Sequence, residues 1–172
     1  MFRSIASCSK PTIARVNGAA IGGGLGLVAA CDIAVAANEA VFATSEVRLG
    51  LIPATIGPYV VRAIGARWAR RLFLTGERIN ATQAAAIHLV HAVTEAEKLD
   101  EAVNDLTAKL SLGAPGAQEA AKDLIDDIGG QPITRELIDD TAVRIARVRA
   151  GDEAREGLSA FLVKRKPRWA PE

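Results

Sequence analysis

Residues 12–50 read TIARVNGAAIGGGLGLVAACDIAVAANEAVFATSEVRLG, and the order of residue types in this stretch decides the fold. An apolar run, Thr12 to Val16, passes into glycines and straight on into a small-residue helix, Gly24 to Cys31. A second β-rich run, Asp32 to Ala36, completes a strand, helix, strand crossover in miniature. The helix therefore begins on bare backbone, and its first N–H groups have no intrahelical acceptor. That arrangement is an anion site. Glu46, in a second strand-to-loop segment, is placed to face it as an acid or base.

A glycine run of this kind has three familiar uses. No Lys-Ser or Lys-Thr follows the last glycine, which excludes a phosphate-cradling Walker loop. Leu27 stands where a dinucleotide fingerprint needs a third small residue. What remains is an oxyanion hole, in which an N–H of Gly23 or Gly24 stabilises the enolate formed from a thioester or other acyl compound. The structural alternative is a tight strand-to-helix turn with close packing.

Glu46 lies between hydroxyls (Thr44, Ser45) and apolar residues (Val47, Leu49, Leu51), a setting suited to proton transfer. The competing assignment is a surface carboxylate paired with Arg48 or Arg62. Arg48 stands two residues on, on the same side if the segment is extended, where it would meet a distal carboxylate on a substrate; otherwise it is a surface arginine. Cys31 and Asp32 read as structure, a buried small hydrophobe and a turn residue. His88 and His91 read as a helix end and a strand start, and no residue set has metal-ligand spacing.

Outward from this stretch, a further strand is expected at Ala40 to Ala43, turns at 49–53 and at Gly57-Pro58, and helices at Tyr59 to Ile64 and Ala66 to Leu74, stopped by Gly76. A helix beginning near Thr82 runs to His88, and Leu89 to Val93 reads as a short strand. Met1 to Cys8 reads as the end of a helix. From Thr94 the pattern is helical throughout: Leu99, Val103, Leu106 and Leu110 share one face, as do Leu137, Thr141, Ile145 and Val148. Two regions are thus expected, 1–93 with the site and 94–172 for oligomerisation. Gly151-Asp152 ends one helix and opens the next, with Glu153 suited to the new helix dipole. The closing cations Lys164, Arg165, Lys166 and Arg168 form a solvated tail or hold a phosphate. Phe161, one turn before Lys164, presents a flat ring beside a cation on the same helix face, a pairing that suits a nucleotide.

Of the 172 residues, 49% are hydrophobic and 24% charged, the balance of a globular protein. A formal net charge of +1 provides no field to gather nucleic acid or an anionic membrane, so small molecules or copies of the same chain are the expected partners. Cys8 and Cys31 are too few for a disulfide framework, which points to the cytoplasm. No apolar run is long enough to span a bilayer.

Taken together, Lys10-Pro11-Thr12-Ile13-Ala14, Asn17-Gly18, Gly22-Gly23-Gly24, Cys31-Asp32, Leu74-Thr75-Gly76-Glu77 and Glu156 to Phe161 with Lys164 to Pro167 resemble, in family order, the enoyl-CoA hydratase/isomerase (crotonase) family. The resemblance implies an α/β crotonase-like (ClpP/crotonase) spiral of ββα units, a C-terminal helical trimerisation region and a CoA thioester substrate. No cofactor is implied, since coenzyme A belongs to the substrate. Gly23 would supply one oxyanion N–H, flanked by Gly22 and Gly24 in the substrate-binding turn. Glu46 would be the second catalytic glutamate, and Phe161 and Lys164 would approach the CoA nucleotide of a neighbouring subunit in a homotrimer or dimer of trimers.

Two departures are informative. Gly26 occupies the position of the first glutamate of two-glutamate hydratases, and Pro53-Ala54-Thr55-Ile56-Gly57-Pro58-Tyr59 replaces a glycine-rich turn. Both resemble the subgroup hydrating methylglutaconyl-CoA or isohexenylglutaconyl-CoA, in leucine or acyclic terpene breakdown. The family's N-terminal third has no counterpart here, so a spiral truncated at its start is expected. Reversible hydration of a 2-enoyl-CoA is the implied reaction. Its rivals are double-bond isomerisation on the same scaffold and a non-catalytic acyl-CoA-binding or oligomerising remnant.

Overall fold

The structure is a computed structural model and describes Met1 to Pro171. Met1–Cys8 with Thr12–Leu106 forms one compact unit, and Ser9–Pro11 with Thr107 onward forms a second.

In the first unit the chain runs α1 (Phe2–Ala6), β1 (Ile13–Val16), β2 (Ala19–Ile21), α2 (Gly23–Ala30), β3 (Ile33–Ala37), β4 (Val41–Ala43), a 3-10 turn at Glu46–Leu49, α3 (Gly57–Thr75), β5 (Arg78–Asn80), α4 (Ala81–Ala86) and β6 (Ala92–Thr94). A second 3-10 turn, Ala96–Lys98, leads into α5 (Leu99–Leu110). The repeating pattern is strand, strand, helix. β1 pairs with β3 in parallel, Ile13 opposite Ile33, while β2 pairs with β4 in parallel, Ala19 opposite Val41. Each sheet gains a third strand: β6 joins β3 in parallel, and β5 joins β4 antiparallel.

β3 is the middle strand of its sheet, and its two faces serve different cores. Ala34 and Ala36 pack into the main cluster with Phe42, Leu25, Ile56 and Leu72. Val35 and Ala37 meet Leu99 in a smaller cluster, with Val103 and Leu106 packed against it. Burial on both faces is why this strand reads as a nearly continuous apolar run. Phe42 and Leu25, both fully buried, contribute on the order of 2 kcal/mol each by removal from water.

β2 was not expected from the sequence. Ala19-Ala20-Ile21 is too short and too poor in β-branched residues to stand out beside the glycines, and it forms because β4 offers a parallel partner. The division between units lies at Leu106/Thr107, later than the expected 93/94, because the first turns of α5 complete the Leu99 cluster. Cys31 is only half-buried, which corrects its reading as a buried hydrophobe. Asp32 does more than turn the chain: its carboxylate accepts the Thr12 N–H at 2.7 Å and the Thr12 hydroxyl at 2.8 Å, bolting the entry of β1 to that of β3. α3 is two helices joined at Gly65, φ 72° and ψ 160°, as the two expected segments imply. Gly57-Pro58 is that helix's first turn, where proline costs no hydrogen bond.

The second unit contains the end of α5, then α6 (Pro115–Ile128), α7 (Arg135–Arg149) and α8 (Asp152–Leu162). Glu153 accepts the N–H groups of Gly116 and Ala117, at 3.0 and 3.1 Å, so it caps α6 as well as standing in the first turn of α8. The indole N–H of Trp169 donates to the Leu112 carbonyl at 3.1 Å, holding the C-terminal segment. No helix of the described residues is long and apolar enough to cross a membrane.

Candidate active site

The turn between β2 and α2 is built on Gly22, whose φ of 53° and ψ of −117° suit a residue without a Cβ. Its N–H donates to the Ala43 carbonyl at 2.9 Å, and its carbonyl accepts the N–H of Gly26 at 3.1 Å, the first bond of the helix. Gly22 is therefore spent on the turn and offers no free amide. That corrects its expected part as a direct binding group. The free donors are those of the first turn, Gly23, Gly24 and Leu25. A Cβ added at Gly23 or Gly24 would meet nothing within 4 Å, so neither glycine is demanded by packing. They leave the helix start open to a ligand, where the dipole favours negative charge.

Glu46 opens the 3-10 turn and reaches this site. Its Oε1 lies 3.3 Å from the point where a Cβ on Gly22 would stand, and its Cδ 3.8 Å. The Oε2 atom is buried and has no hydrogen-bond partner among the described residues, nor has the hydroxyl of Thr44, which is wholly buried. The structure thus brings together Glu46 and the glycine turn, and Glu46 is not the surface ion pair of the competing assignment.

Arg48 is not brought to the same place. At three residues per turn, two residues are separated by about 240° of rotation, so the extended-segment expectation is overturned. The Arg48 side chain lies over Gly76, its Nε 3.0 Å from where a Cβ there would be. Gly26 is closed off: Ile56 occupies the space its side chain would need, with Phe2 3.0 Å away on another side. The Glu46 carboxylate faces the turn, and Ile56 fills the space that a side chain at position 26 would take.

Phe161 and Lys164 lie in the second unit. Helix α8 ends at Leu162, and Lys164 sits beyond it with φ 55°, so the expected shared helix face is corrected. Its N–H donates to Phe161, and that of Arg165 to Ala160, which is the Schellman closure with a lysine where glycine is usual. Arg165 and Arg168 are held by Glu156, and Lys166 donates to the Pro171 carbonyl. Of the four cations, Lys164 alone carries no side-chain bond among the described residues, and Phe161 beside it is 80% exposed. His91 accepts the Ala34 N–H at Nδ1, 3.1 Å, tying the start of β6 to β3. His88, φ 65°, closes α4 as Lys164 closes α8. No group of three or more metal-ligating side chains occurs among the described residues.

Sequence reasoning placed Thr44 beside Glu46 and Ile56 in the replaced turn, but gave neither residue a part of its own. A threonine at a strand end and an isoleucine in a loop carry no signal of their own; only the fold buries the first completely and sets the second against Gly26.

A family model described as enoyl-CoA hydratase/isomerase matches residues 1–172. A putative enoyl-CoA hydratase of Thermus thermophilus is 34% identical over 98% of this chain and 66% of its own length. Among solved structures, a putative enoyl-CoA hydratase/isomerase (crotonase) from Legionella pneumophila is 48% identical, with a TM-score of 0.92, over 98% of this chain and 65% of that one. An enoyl-CoA hydratase from Shewanella pealeana is 42% identical, with a TM-score of 0.94, over 98% and 63%. The chain belongs to the enoyl-CoA hydratase/isomerase family, and its fold is crotonase-like. It spans about two thirds of the length of these relatives.

Proposed function

We propose that the protein is an enoyl-CoA hydratase, adding water reversibly to a 2-enoyl-CoA thioester. The observation that carries this reading is the Glu46 carboxylate set against the Gly22 turn, beside the open helix start. The thioester oxygen accepts the Gly23 N–H, with Gly24 flanking it. Glu46 takes a proton from water as the water oxygen bonds to C3. The C2=C3 electrons move onto the thioester oxygen as an enolate, which collapses as C2 takes a proton back. One such backbone donor is worth about 3 kcal/mol of the barrier.

A branched glutaconyl-CoA of the methylglutaconyl type is the preferred substrate in this reading. Its support is the combination of Gly26 with the Pro53 to Tyr59 turn, which work as one feature: Ile56 of that turn fills the space at Gly26. The same pairing favours a second reading, isomerisation, since one carboxylate suffices to shuttle one proton. Assembly as a homotrimer or dimer of trimers, with Phe161 and Lys164 against a neighbour's CoA, accords with the exposed ring and with a lysine that has no side-chain bond among the described residues. Cytoplasmic location accords with Cys8 and Cys31 not being joined in a disulfide.

The test is turnover of crotonyl-CoA and 3-methylglutaconyl-CoA in 18O-labelled water. Label in the product supports hydration, unlabelled shifted product supports isomerisation, and acyl-CoA binding without turnover supports the non-catalytic remnant. Glu46→Gln abolishes turnover and leaves binding nearly intact if the reading is right.

A further inference from the structure

Among the described residues, two buried side-chain atoms lack a hydrogen-bond partner, and they stand two positions apart: Thr44 Oγ1 and Glu46 Oε2. Thr44 is also the buried polar side chain of the described core, at 0% exposure. Leaving a buried hydroxyl unmet costs about 1–3 kcal/mol, and a valine of the same shape would avoid that cost. Folded proteins leave few such groups, so two at the candidate site point to a partner from outside the chain.

The chemistry of the two atoms says what that partner is. An ionised carboxylate only accepts, whereas a threonine hydroxyl donates once and accepts twice. One water, giving a hydrogen to Oε2 and exchanging a bond with Oγ1, satisfies both. Cα atoms two residues apart are separated by at most about 7 Å. Ser45 between them has φ −88° and ψ 4°, turning the chain at that point rather than extending it.

Resting on the acid-base reading of Glu46, we propose that Thr44 is a positioning residue: its hydroxyl, through one bound water, fixes Oε2 of Glu46 inward and leaves Oε1 at the Gly22 turn for the reacting proton. The roles of the two oxygens are then distinct. Oε2 is anchored, and Oε1 does chemistry.

The variants are Thr44→Val and Thr44→Ser, made in the full chain and compared with Glu46→Gln. The expected result is a kcat about tenfold lower for Thr44→Val with KM within about twofold, recovery with Thr44→Ser, and an unchanged or higher melting temperature for the valine variant. Wild-type kcat in Thr44→Val, a loss confined to KM, or failure of serine to restore the rate overturns the proposal. If the parent protein turns over no enoyl-CoA, the hydratase and isomerase readings fail separately. A high-resolution crystal structure then decides Thr44: a water bonded to both Oγ1 and Oε2 supports the anchoring, and a protein partner for Oγ1 or the lack of a shared water overturns it.

Discussion

Ile56 fills the space that a side chain on Gly26 would need: the Ile56 Cβ lies 2.9 Å from the point where a Gly26 Cβ would stand. Two helices meet through this contact, since Gly26 lies within α2 and Ile56 immediately precedes α3. The pair closes the space beside Gly26 with apolar atoms.

Gly26→Ala is therefore overpacked and loses about 1–3 kcal/mol of stability. In Ile56→Ala, which alone costs about 2–5 kcal/mol, the same alanine at 26 costs less, because the clashing Cγ2 methyl is gone. Chemical denaturation of both single variants and the double variant measures the coupling, and strict additivity would contradict the contact.

Gly23→Ala separates folding from function. Its backbone is helical and its Cβ meets nothing within 4 Å, so the protein is stabilised by about 0.5–1 kcal/mol. The new methyl stands where the thioester must approach the helix start, so turnover falls by at least about tenfold. A melting curve and a rate on the same preparation check it. Gain or loss of both together would show the turn to be structural only.

Legibility in the sequence divided along physical lines. The glycine turn and Glu46 were readable because each is a chemical type in an unusual setting, and the fold does bring them together. Arg48 was misread because a one-residue change in local twist, from extended to 3-10, redirects a side chain without altering composition. β2 was hidden because three small residues become a strand only when β4 lies beside them. The parts played by Ile56 and Thr44 were hidden for a related reason: the contact of Ile56 with Gly26, far earlier in the chain, and the complete burial of Thr44 are products of the fold.

Lys164→Gly is expected to raise stability by about 1 kcal/mol, by relieving a left-handed backbone on a residue with a Cβ. It removes the Lys164 cation beside Phe161 at the same time. Acyl-CoA affinity measured by calorimetry falls if that cation meets the nucleotide, and its salt dependence flattens. Unaltered affinity with the higher melting temperature would assign Lys164 to the helix end alone.

Glu156 supplies a pH dependence. Hydrogen bonds from the Arg165 guanidinium at 2.6 and 2.9 Å, and from the Arg168 N–H at 3.0 Å, lower its carboxyl from the ordinary 4.5 to about 2. A lowered folded-state value means the unfolded chain binds the proton first. The stabilisation is complete above about pH 4.5 and fades as pH falls toward 2. Glu156→Gln lacks it throughout, so the stability gap between parent and variant narrows across that window. A constant gap from pH 6 to pH 2 would contradict the assignment.

The carboxylate of Glu153, which caps the start of α6 from the start of α8, has a consequence in time. Pro115 brings no N–H, and the next two amides, of Gly116 and Ala117, wait for an acceptor 37 and 36 positions further along the chain. During synthesis α6 emerges with those amides still facing water, and its first turn frays until residue 153 has left the ribosome. The helical unit is thus completed from its far end backwards, and a chain stopped before that residue carries an α6 that never finishes its own beginning.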